Sequence, residues 1–516
     1  MLKRLAQAAA RVEPRRALAF AVIAALTLYA VVYLDPYAAL AVAPFFALGC
    51  ARGKHPLTLL ALAAIPGLFI LAGSAVKFYV TGQPLVTYDH HFLRENIVIL
   101  GYNDWRVALA LGLTVVGIGF YFKSLLSGRG AFSRFEKRTL LGLGVASLAC
   151  LVALQGWDQD IPNWEQSFAK PSLRTFIASM RMPRPELHVL SSAQAAQPIH
   201  EFSKLGAPAA TRPDIFIILQ ESTFLPENAG ATYKPHTIFT APGGYSGLLH
   251  VHTFAGVTWK SEFSVTTQMR PQEFGSDGLY VFYQLEGRIK QSIFTRLKEL
   301  GYRTVIFYPV PGSFINARNF YASIGADEFY DPQSLGISEG WDWKLPDSKL
   351  YEAMLKKLPP SDKPVVAMML TINQHGPHNE PDPLAEYVSR FKQSDDAYAG
   401  FLKALEARGR PAGVMTFGDH QPEFMADREN HALWYSTAYD IRCVNFTCAN
   451  DVIPDRVGRM LDITLLAPVA LEQFGFTLDG FSAFERAQFK SCDDDVSRCP
   501  EQARLSVNSA FKQYFE

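Results

Sequence analysis

The stretch DIFIILQEST, residues 214–223, is an apolar run that ends abruptly in one carboxylate and two hydroxyls. A short continuous apolar run of this kind, closed by polar residues, is typical of a strand that is buried on both faces. Its polar end could supply a nucleophile, a metal ligand or only a helix cap, and Ser222 and Thr223 suit capping better than catalysis. The rest of the chain is needed to decide what Glu221 does.

Four further apolar runs follow, and helical patterns alternate with them. The runs cover residues 248–254, 304–310, 364–372 and 413–417. Between them, SIFTRLKELG and DDAYAGFLKALEARG each place their apolar residues on one face of a helix. Strands that alternate with helices predict an α/β domain with a mainly parallel sheet and helices on both of its faces.

Residues able to do chemistry follow four of these five predicted strands. They are Glu221, Thr258, His375, His378, Asp419 and His420. Because ligands bind beyond the carboxyl ends of the strands in open α/β sheets, we expect these side chains to converge on one site. His375 and His378 lie in the same stretch, NQHGPH, and compete for one role there.

Carboxylates combined with an imidazole suit one divalent metal ion of the Mn²⁺ or Zn²⁺ class. Such an ion turns a neighbouring hydroxyl into a nucleophile by lowering its pKa, and it neutralises charge on a phosphoryl or sulfuryl oxygen. The residues therefore predict a metal-activated threonine that transfers a charged ester group. Structural roles are expected for other polar residues, with His250 and His252 packing or supporting the site and Asp347 capping a helix.

The first 156 residues predict a membrane anchor of about five helices. A helix needs about 20 apolar residues to cross a bilayer, and apolar segments lie at roughly 17–34, 38–50, 56–76, 107–122 and 139–155. The segments 38–50 and 107–122 are short for complete spans. Lysine and arginine cluster before the first segment and in alternate loops, which predicts an internal N-terminus and external residues 157–516. Residues 157–212 are then expected to form a linker with short interfacial helices, and residues 213–516 a catalytic domain.

The cysteines agree with an external domain. Cys443 lies close to Cys448 and Cys492 lies close to Cys499, without the spacing of a zinc site, so two local disulfides are expected. Disulfides persist in oxidising compartments, and four free thiols in a cytosolic domain are the alternative. Lysine and arginine number 49, as do aspartate and glutamate, so no global field favours nucleic acid as a partner.

The anchor and an ordered set of motifs resemble the membrane-anchored branch of the alkaline phosphatase/sulfatase superfamily. The chain is most similar to lipoteichoic acid synthases and the related phosphoglycerol transferases. IILQES resembles their strand ending in a metal-ligand glutamate, VTWKSEF their nucleophile segment, and FGDHQP their Gly-Asp-His segment. The resemblance implies a sulfatase-like fold in which Thr258 is the nucleophile and the metal ligands are Glu221, Thr258, Asp419 and His420.

Two further segments resemble the substrate-contacting parts of these enzymes. TINQHGPH resembles a Ser-x-His-x-Pro segment and implies that His375 contacts substrate and takes part in catalysis. GSFINARNFYASIGADEFYD resembles the headgroup-binding segment and implies that Arg318 contacts the phosphate. The family usually has lysine immediately before the nucleophile, where this chain has Val257, so Lys260 becomes the candidate lysine for substrate binding. The paired cysteines are closer to phosphoethanolamine transferases of the same superfamily.

The resemblance implies a transferase at the outer face of a bacterial cytoplasmic membrane. Its donor is expected to be a phospholipid, whose phosphoglycerol or phosphoethanolamine headgroup passes through a phosphothreonine to an envelope glycan or lipid acceptor. Two alternatives stay open on the sequence. One is a metal-dependent phosphodiesterase or phosphatase that transfers the group to water, and the other is an inactive membrane-anchored binding or sensor protein.

Overall fold

The computed structural model describes residues 204–490, except residues 209–211, 242–244, 338–344, 360–362, 377, 379, 428–434 and 450–459, and scattered positions between 44 and 176. The chain divides into two compact units, Met1–Met182 and Pro183–Glu516. The predicted anchor and linker lie almost entirely outside the described residues, and Cys492 and Cys499 lie wholly outside them. Among the described residues, no helix has the length and apolar character needed to cross a bilayer.

The described part of Pro183–Glu516 contains one eight-stranded sheet. In chain order its strands are β1 (Asp214–Gln220), β2 (Ser246–His250), β3 (Arg303–Phe307), β4 (Glu328–Tyr330), β5 (Val365–Leu370), β6 (Ala412–Gly418), β7 (Ser436–Val444) and β8 (Met460–Asp462). They lie in the order β4-β3-β5-β1-β6-β7-β2-β8. Strand β7 runs antiparallel to both of its neighbours, and the other pairings are parallel. Seven strands therefore have their carboxyl ends at the same edge of the sheet. This arrangement confirms the predicted mainly parallel α/β fold.

The central strands are buried along nearly their whole length. Every residue of β5 and β6 is buried, and β1 is buried after Asp214, as expected for strands covered on both faces. Ile217 of β1 lies opposite Met368 of β5 and Met415 of β6 in the parallel register. The carboxyl ends of these three strands consequently lie side by side in the middle of the sheet.

Helices connect the strands. The α-helices are α1 (Thr258–Thr267), α2 (Val281–Gln284), α3 (Ile293–Glu299), α4 (Ala317–Ser323), α5 (Pro332–Leu335), α6 (Asp347–Lys357), α7 (Pro383–Ala407), α8 (Leu466–Gln473) and α9 (Gly480–Lys490). Short 3-10 helices cover Pro226–Ala229, Pro271–Tyr280, Phe314–Asn316, Glu423–Asp427 and Ile463–Leu465. The helix predicted in SIFTRLKELG is α3, which begins after the capping box of Ser292 and buries Ile293, Phe294 and Leu297.

The longest of these helices, α7, packs with α6 against the central strands. Asp382 caps α7 through a side-chain hydrogen bond of 3.1 Å, and Pro383 takes the first helical position. Phe401 of α7 stacks on Tyr351 of α6 at 4.8 Å and meets Phe216 of β1 edge to face at 5.6 Å. This packing holds β1, and with it the position of the polar residues that follow the strand.

Three strands are absent from the sequence prediction, and one is displaced. Strands β4 and β8 contain three residues each, too few for a period to be recognised. Strand β7 (STAYDIRCV) mixes polar and apolar residues, yet its first six residues are buried because it lies between two other strands. The strand predicted over 248–254 ends at His250, and the residues after it form the turn that leads into α1.

Candidate active site

Glu221 and Asp419 come together because their strands are neighbours with a fixed register. Gln220, the last residue of β1, pairs with Gly418, the last residue of β6. The next residue on each strand is a carboxylate, and His420 follows Asp419 directly. The sheet thus delivers two carboxylates and an imidazole to one point at its carboxyl edge.

Thr258 joins them as the first residue of α1. Its Oγ1 donates to Glu221 Oε2 at 3.1 Å and lies 3.3 Å from His420 Nε2. His420 Nε2 lies 3.4 Å from Glu221 Oε1 and 3.2 Å from Asp419 Oδ2. The four residues that the sequence predicts to bind the metal therefore meet. After the role predicted for Thr258, we refer to Glu221, Thr258, Asp419 and His420 as the nucleophile cluster.

The turn before Thr258 is strained. Ala255, Gly256 and Val257 have φ angles of 58°, 146° and 66°, and a left-handed backbone costs a β-branched residue such as Val257 about 1–3 kcal/mol. The turn is held in this form in part by Ala255, whose N–H donates to Gln421 O at 2.9 Å. Because Gln421 directly follows His420, the strained turn fixes the Thr258 hydroxyl against the cluster.

Burial and mutual charge govern ionisation in the cluster. Burial and the charge of Glu221 raise the pKa of Asp419 to about 7. Burial also opposes ionisation of Glu221, but the hydrogen bond and charge of His420 lower the pKa of Glu221. Burial by itself would lower the pKa of His420, whereas the charges of Asp419 and Glu221 raise that pKa to about 9. Two buried carboxylates thus depend on positive charge placed between them.

The cluster fits a divalent cation. Asp419 Oδ2 is buried, and it has no hydrogen-bond partner among the described residues. One ligand atom each of Glu221, Asp419 and His420 lies within 4.8 Å of the others. Ligand atoms bonded to one ion at about 2.0–2.2 Å lie roughly 3.3 Å apart, and the contacts of the cluster measure 3.1–3.4 Å. Oxygen donors with one imidazole nitrogen suit Mn²⁺ or Zn²⁺.

The two hydroxyls after Glu221 do not cap a helix. Ser222 Oγ donates to Glu221 Oε1 at 2.9 Å, and Ser222 N–H donates to Asp419 Oδ1 at 2.7 Å. Thr223 Oγ1 donates to the backbone oxygen of Glu221 at 2.7 Å. The expectation of capping is wrong because the next helix begins only at Pro226. Ser222 instead orients both carboxylates of the cluster.

The contacts of His378 are those of a packed structural residue. It packs between the rings of Tyr387 and Phe424, and its Nδ1 lies 3.2 Å from Glu423 Oε1. The side chain is buried. These contacts attach the loop after β5 to the segment that follows β6.

His375 lies in the same loop and is coupled to the nucleophile cluster. Its Nδ1 donates to Gly376 O at 2.6 Å, and its own carbonyl accepts from Arg390 Nη1 at 2.8 Å. The charge of His375 contributes to the lowered pKa of Glu221, after the larger effects of burial and of His420. Of the two histidines that competed on the sequence, His375 therefore shows the electrostatic link to the cluster.

The loop that contains His375 is held by Asp347, a buried acid for which the sequence predicted a different role. Asp347 Oδ1 accepts from the backbone N–H groups of Ile372 at 3.0 Å and Asn373 at 3.1 Å, and Asp347 Oδ2 accepts from Ser394 Oγ at 2.6 Å. The expected helix cap is wrong, since Asp347 is the first helical residue of α6 and its carboxylate serves the loop. Burial raises the pKa of Asp347. No local spacing could reveal these contacts, because the partners lie 25 to 47 positions away.

Glu262, which lies in the segment VTWKSEF, supports the helix that begins at Thr258. Glu262, one turn after Thr258 in α1, accepts from Tyr321 OH at 2.5 Å and from Tyr308 OH at 3.3 Å. Burial raises the pKa of Glu262 to about 8, although both hydrogen bonds act against that shift. The protonated carboxyl joins α1 to α4 and to the end of β3.

Arg318 contacts a carboxylate and an aromatic ring, and Lys260 makes a backbone hydrogen bond within the first turn of α1. The Arg318 guanidinium donates to Asp331 Oδ2 at 2.5 Å and lies 4.7 Å above the ring of Phe329, with 46% of its side chain exposed. These contacts attach Arg318 to β4 and to the residue that follows it. Lys260 is buried in the first turn of α1, where its N–H donates to Val257 O at 2.9 Å.

One of the two predicted disulfides is present. Cys443, near the end of β7, is bonded to Cys448, with 5.5 Å between their Cα atoms. The expected pair of Cys492 and Cys499 lies outside the described residues.

The family model described as Sulfatase matches residues 213–444. An uncharacterized protein of Haemophilus influenzae is 31% identical over 347 residues, which cover 59% of this chain and 61% of that protein. A lipoteichoic acid synthase-like protein of Bacillus subtilis is 25% identical over 185 residues, which cover 33% of this chain and 29% of that protein. The chain thus spans less than two thirds of the length of either relative.

Among solved structures, a phosphoglycerol transferase of Streptococcus pyogenes in complex with sn-glycerol-1-phosphate is similar, with 16% sequence identity and a TM-score of 0.46. The similarity covers 58% of this chain and 85% of that one.

Proposed function

We propose, from the premise that residues 213–444 form a sulfatase-family domain of the alkaline phosphatase superfamily, that this chain is a metal-dependent transferase of phosphoryl esters. Thr258 is its nucleophile, a phospholipid is its donor, and an envelope glycan or lipid is its acceptor. One observation carries the proposal. The Thr258 hydroxyl, at the start of α1, lies 3.1 Å from a carboxylate oxygen of Glu221 and 3.3 Å from His420 Nε2.

The ligands of one divalent ion, Mn²⁺ or Zn²⁺, would be Glu221, Thr258, Asp419 and His420. When bound, such an ion lowers the pKa of a coordinated hydroxyl and neutralises charge on a phosphoryl oxygen. The protein's own contribution is to hold the ligands in place before substrate arrives. Ser222 does so through hydrogen bonds to both carboxylates, and the strained turn before Thr258 does so for the hydroxyl.

In the first step, Thr258 Oγ1 forms a bond to the headgroup phosphorus while the bond from phosphorus to the diacylglycerol oxygen breaks. The Thr258 proton passes to Glu221 Oε2, which already accepts that hydrogen bond. The departing diacylglycerol oxygen takes a proton from His375. A phosphothreonine diester remains on the enzyme, and charge and atoms balance.

The amino end of α1 supports the charge of this intermediate. The first N–H groups of a helix have no partner within the helix, and the helix dipole favours negative charge there. Because α1 begins at Thr258 itself and continues for ten residues, a phosphoryl group on Oγ1 lies against that end. The start of α1 therefore adds to the positive charge that the metal ion and Lys260 are proposed to supply.

In the second step, an acceptor hydroxyl forms a bond to phosphorus and the bond from phosphorus to Thr258 Oγ1 breaks. His375, unprotonated after the first step, takes the acceptor proton. The Thr258 oxygen recovers its proton from Glu221. The enzyme returns to its starting state, so a single set of residues serves both halves of the reaction.

Arg318 and Lys260 complete the proposed substrate contacts. The exposed part of the Arg318 guanidinium is the proposed phosphate contact, with Asp331 holding its other side. Lys260 is proposed to supply positive charge within the first turn of α1. The proposed headgroup is phosphoglycerol or phosphoethanolamine.

The reaction is proposed to occur at the outer face of a bacterial cytoplasmic membrane, to which residues 1–156 anchor the chain. The Cys443–Cys448 disulfide supports an oxidising compartment. An anchor would keep the site close to phospholipid headgroups, so the enzyme would meet its donor in two dimensions.

The test is diacylglycerol release from fluorescent phosphatidylglycerol and phosphatidylethanolamine, measured with the full-length protein and Mn²⁺ or Zn²⁺. We expect release that stops on metal removal and with Thr258→Ala, while Thr258→Ser keeps part of it. Thr267→Ala, at the other end of the same helix, is the matched control and should release diacylglycerol normally.

The product pattern separates the alternatives. A transferase attaches the headgroup to an added acceptor and stalls as a phosphothreonine without one. A hydrolase releases the free headgroup phosphate without any acceptor. Continued release by Thr258→Ala contradicts the nucleophile assignment, and absence of metal binding and of release in the unaltered protein would support a binding or sensor protein.

A further inference from the structure

A second group of residues of metal-ligand type lies at the same edge of the sheet, on β2 and β8, the two strands beyond β7. His250 ends β2 and Asp462 ends β8, and the two residues are partners in the parallel register of these strands. His252 follows two residues after His250. Neither the nucleophile cluster nor the proposed reaction uses these side chains.

The spacing of their polar atoms fits ligands that share one ion. His250 Nδ1 lies 3.3 Å and His252 Nε2 lies 3.2 Å from the same oxygen, Asp462 Oδ2. Charge-assisted hydrogen bonds are shorter, about 2.7–2.9 Å. Ligand atoms held by one ion at about 2.0–2.1 Å are separated by roughly 3.3 Å, and the nucleophile cluster shows the same range.

Outer contacts orient two of the three side chains. Asp462 Oδ1 accepts from Thr464 N–H at 3.1 Å and from Thr464 Oγ1 at 2.8 Å, which leaves Oδ2 for the histidines. His252 Nδ1 lies 3.3 Å from Ser264 Oγ of α1, so the opposite ring nitrogen faces Asp462. Partners of this kind, bonded to the far side of a ligand, are typical of metal sites.

We propose that His250 Nδ1, His252 Nε2 and Asp462 Oδ2 bind a second divalent ion, Zn²⁺. Three protein ligands with two imidazoles and one carboxylate leave a fourth position for water, as in open zinc sites. His250, whose side chain is 31% exposed, provides the entry path, while His252 and Asp462 are buried.

Arg270 is the natural competitor of this ion. Its Nη2 lies 3.2 Å from Asp462 Oδ2, the oxygen that the ion requires, and 17% of its side chain is exposed. A guanidinium and a divalent ion repel each other, so metal binding displaces Arg270 toward solvent. Removing its charge therefore strengthens binding of a cation, and it would weaken binding of an anion at the same place.

The ion would connect the edge of the sheet to the nucleophile helix. His252 contacts Ser264, six residues after Thr258 in α1, which corresponds to about 9 Å along the helix axis. The site is therefore separate from the nucleophile cluster, and it does not depend on the proposed function.

The test is the Zn²⁺ content of the full-length protein after chelator treatment, reloading and dialysis, measured by mass spectrometry. We expect two ions per chain in the unaltered protein, one in His252→Ala and one in Glu221→Ala. The double variant should hold none. His236→Ala is the matched control, because His236 is paired with Asp395 and belongs to neither group, and it should keep both ions.

Arg270→Gln gives a readout that a folding defect cannot imitate. The substitution is made in the Glu221→Ala protein, so that only the second site binds an ion. In competition with a chelator, we expect this site to bind Zn²⁺ several-fold more tightly with Arg270→Gln than without it. One ion per chain that disappears with Glu221→Ala, together with unchanged content in His252→Ala, would overturn the proposal. So would a site that binds inorganic phosphate and loses it in Arg270→Gln.

Discussion

Ser222 donates its hydroxyl hydrogen bond to Oε1 of Glu221 at 2.9 Å, from a backbone in the left-handed region with φ of 49°. The left-handed conformation turns the chain immediately after β1. This conformation directs the Ser222 side chain to Glu221. It also directs the Ser222 N–H to Asp419 Oδ1, at 2.7 Å. Ser222, whose hydroxyl could be taken for a nucleophile in the sequence, thus orients the carboxylate of Glu221.

This relationship predicts different effects for two adjacent hydroxyls. Partners of metal ligands typically account for a 10–100-fold change in metal affinity, so Ser222→Ala should weaken binding of the catalytic ion by about tenfold. Thr223→Ala should leave the affinity unchanged, because its hydroxyl bonds only the backbone oxygen of Glu221. Titration of metal-free protein with Mn²⁺ measures both, and equal effects of the two substitutions would contradict the orienting role.

Asp347→Asn should lower kcat while the metal content stays normal. The substitution weakens the hold of the carboxylate on Ile372 and Asn373, and with it the position of His375. Misplacement of a catalytic group by about 1 Å can cost roughly 100-fold in rate, and we expect a loss of about 10–100-fold. The control is Asp382→Asn at the start of α7, where asparagine caps a helix about as well as aspartate does, so stability and kcat should both be unaffected.

The protonated Glu262 predicts a pH dependence of stability. Its pKa is about 8 in the folded protein, above the ordinary value of 4.5 for a glutamate, so the folded state binds this proton more tightly than the unfolded state. The stabilisation is complete below about pH 4.5 and is lost as pH rises through 8. Urea titrations of the metal-loaded protein measure the free energy of unfolding of the unaltered protein and of Glu262→Gln. The difference between the two, unaltered minus variant, should therefore fall between pH 5 and 8. A difference that is constant with pH would show that Glu262 ionises normally.

Two glycines predict opposite effects of the same substitution. A Cβ on Gly418, the last residue of β6, would lie 1.7 Å from the backbone oxygen of Thr223. Gly418→Ala should therefore displace the end of β6, and with it Asp419, and abolish metal binding. Gly400, in α7, has open space around an added Cβ, and Gly400→Ala should stabilise the protein by about 1 kcal/mol. Urea denaturation of both variants measures the contrast, and a well-folded, metal-binding Gly418→Ala would contradict the packing at the end of β6.

Much of the fold and of the site could be predicted because the signals are local. The apolar runs that become β1, β5 and β6 are buried strands, and their parallel register carries Glu221 and Asp419 to the same point. The ordered motifs indicated a sulfatase-like domain, and the family match over residues 213–444 confirms that resemblance. The roles assigned to individual site residues stay predictions for the experiments above.

Other parts could not be predicted because their signals are not local. Strand β7 lacks an apolar pattern and is recognisable only from its place between β6 and β2. Asp347, expected to cap a helix, holds a loop whose residues lie 25 and 26 positions away. His250 and His252, expected to pack or to support the site, face Asp462 across more than 200 positions of sequence.

The sequence by itself determined that Glu221 and Asp419 follow the ends of buried strands, because the apolar runs before them stop there. Only the tertiary structure decided which of those ends become neighbours. That outcome depends on the strand order β4-β3-β5-β1-β6-β7-β2-β8, in which β1 lies beside β6 and β2 beside β8. Contacts between such distant segments are set by the packing of the whole sheet, and no short stretch of sequence encodes them.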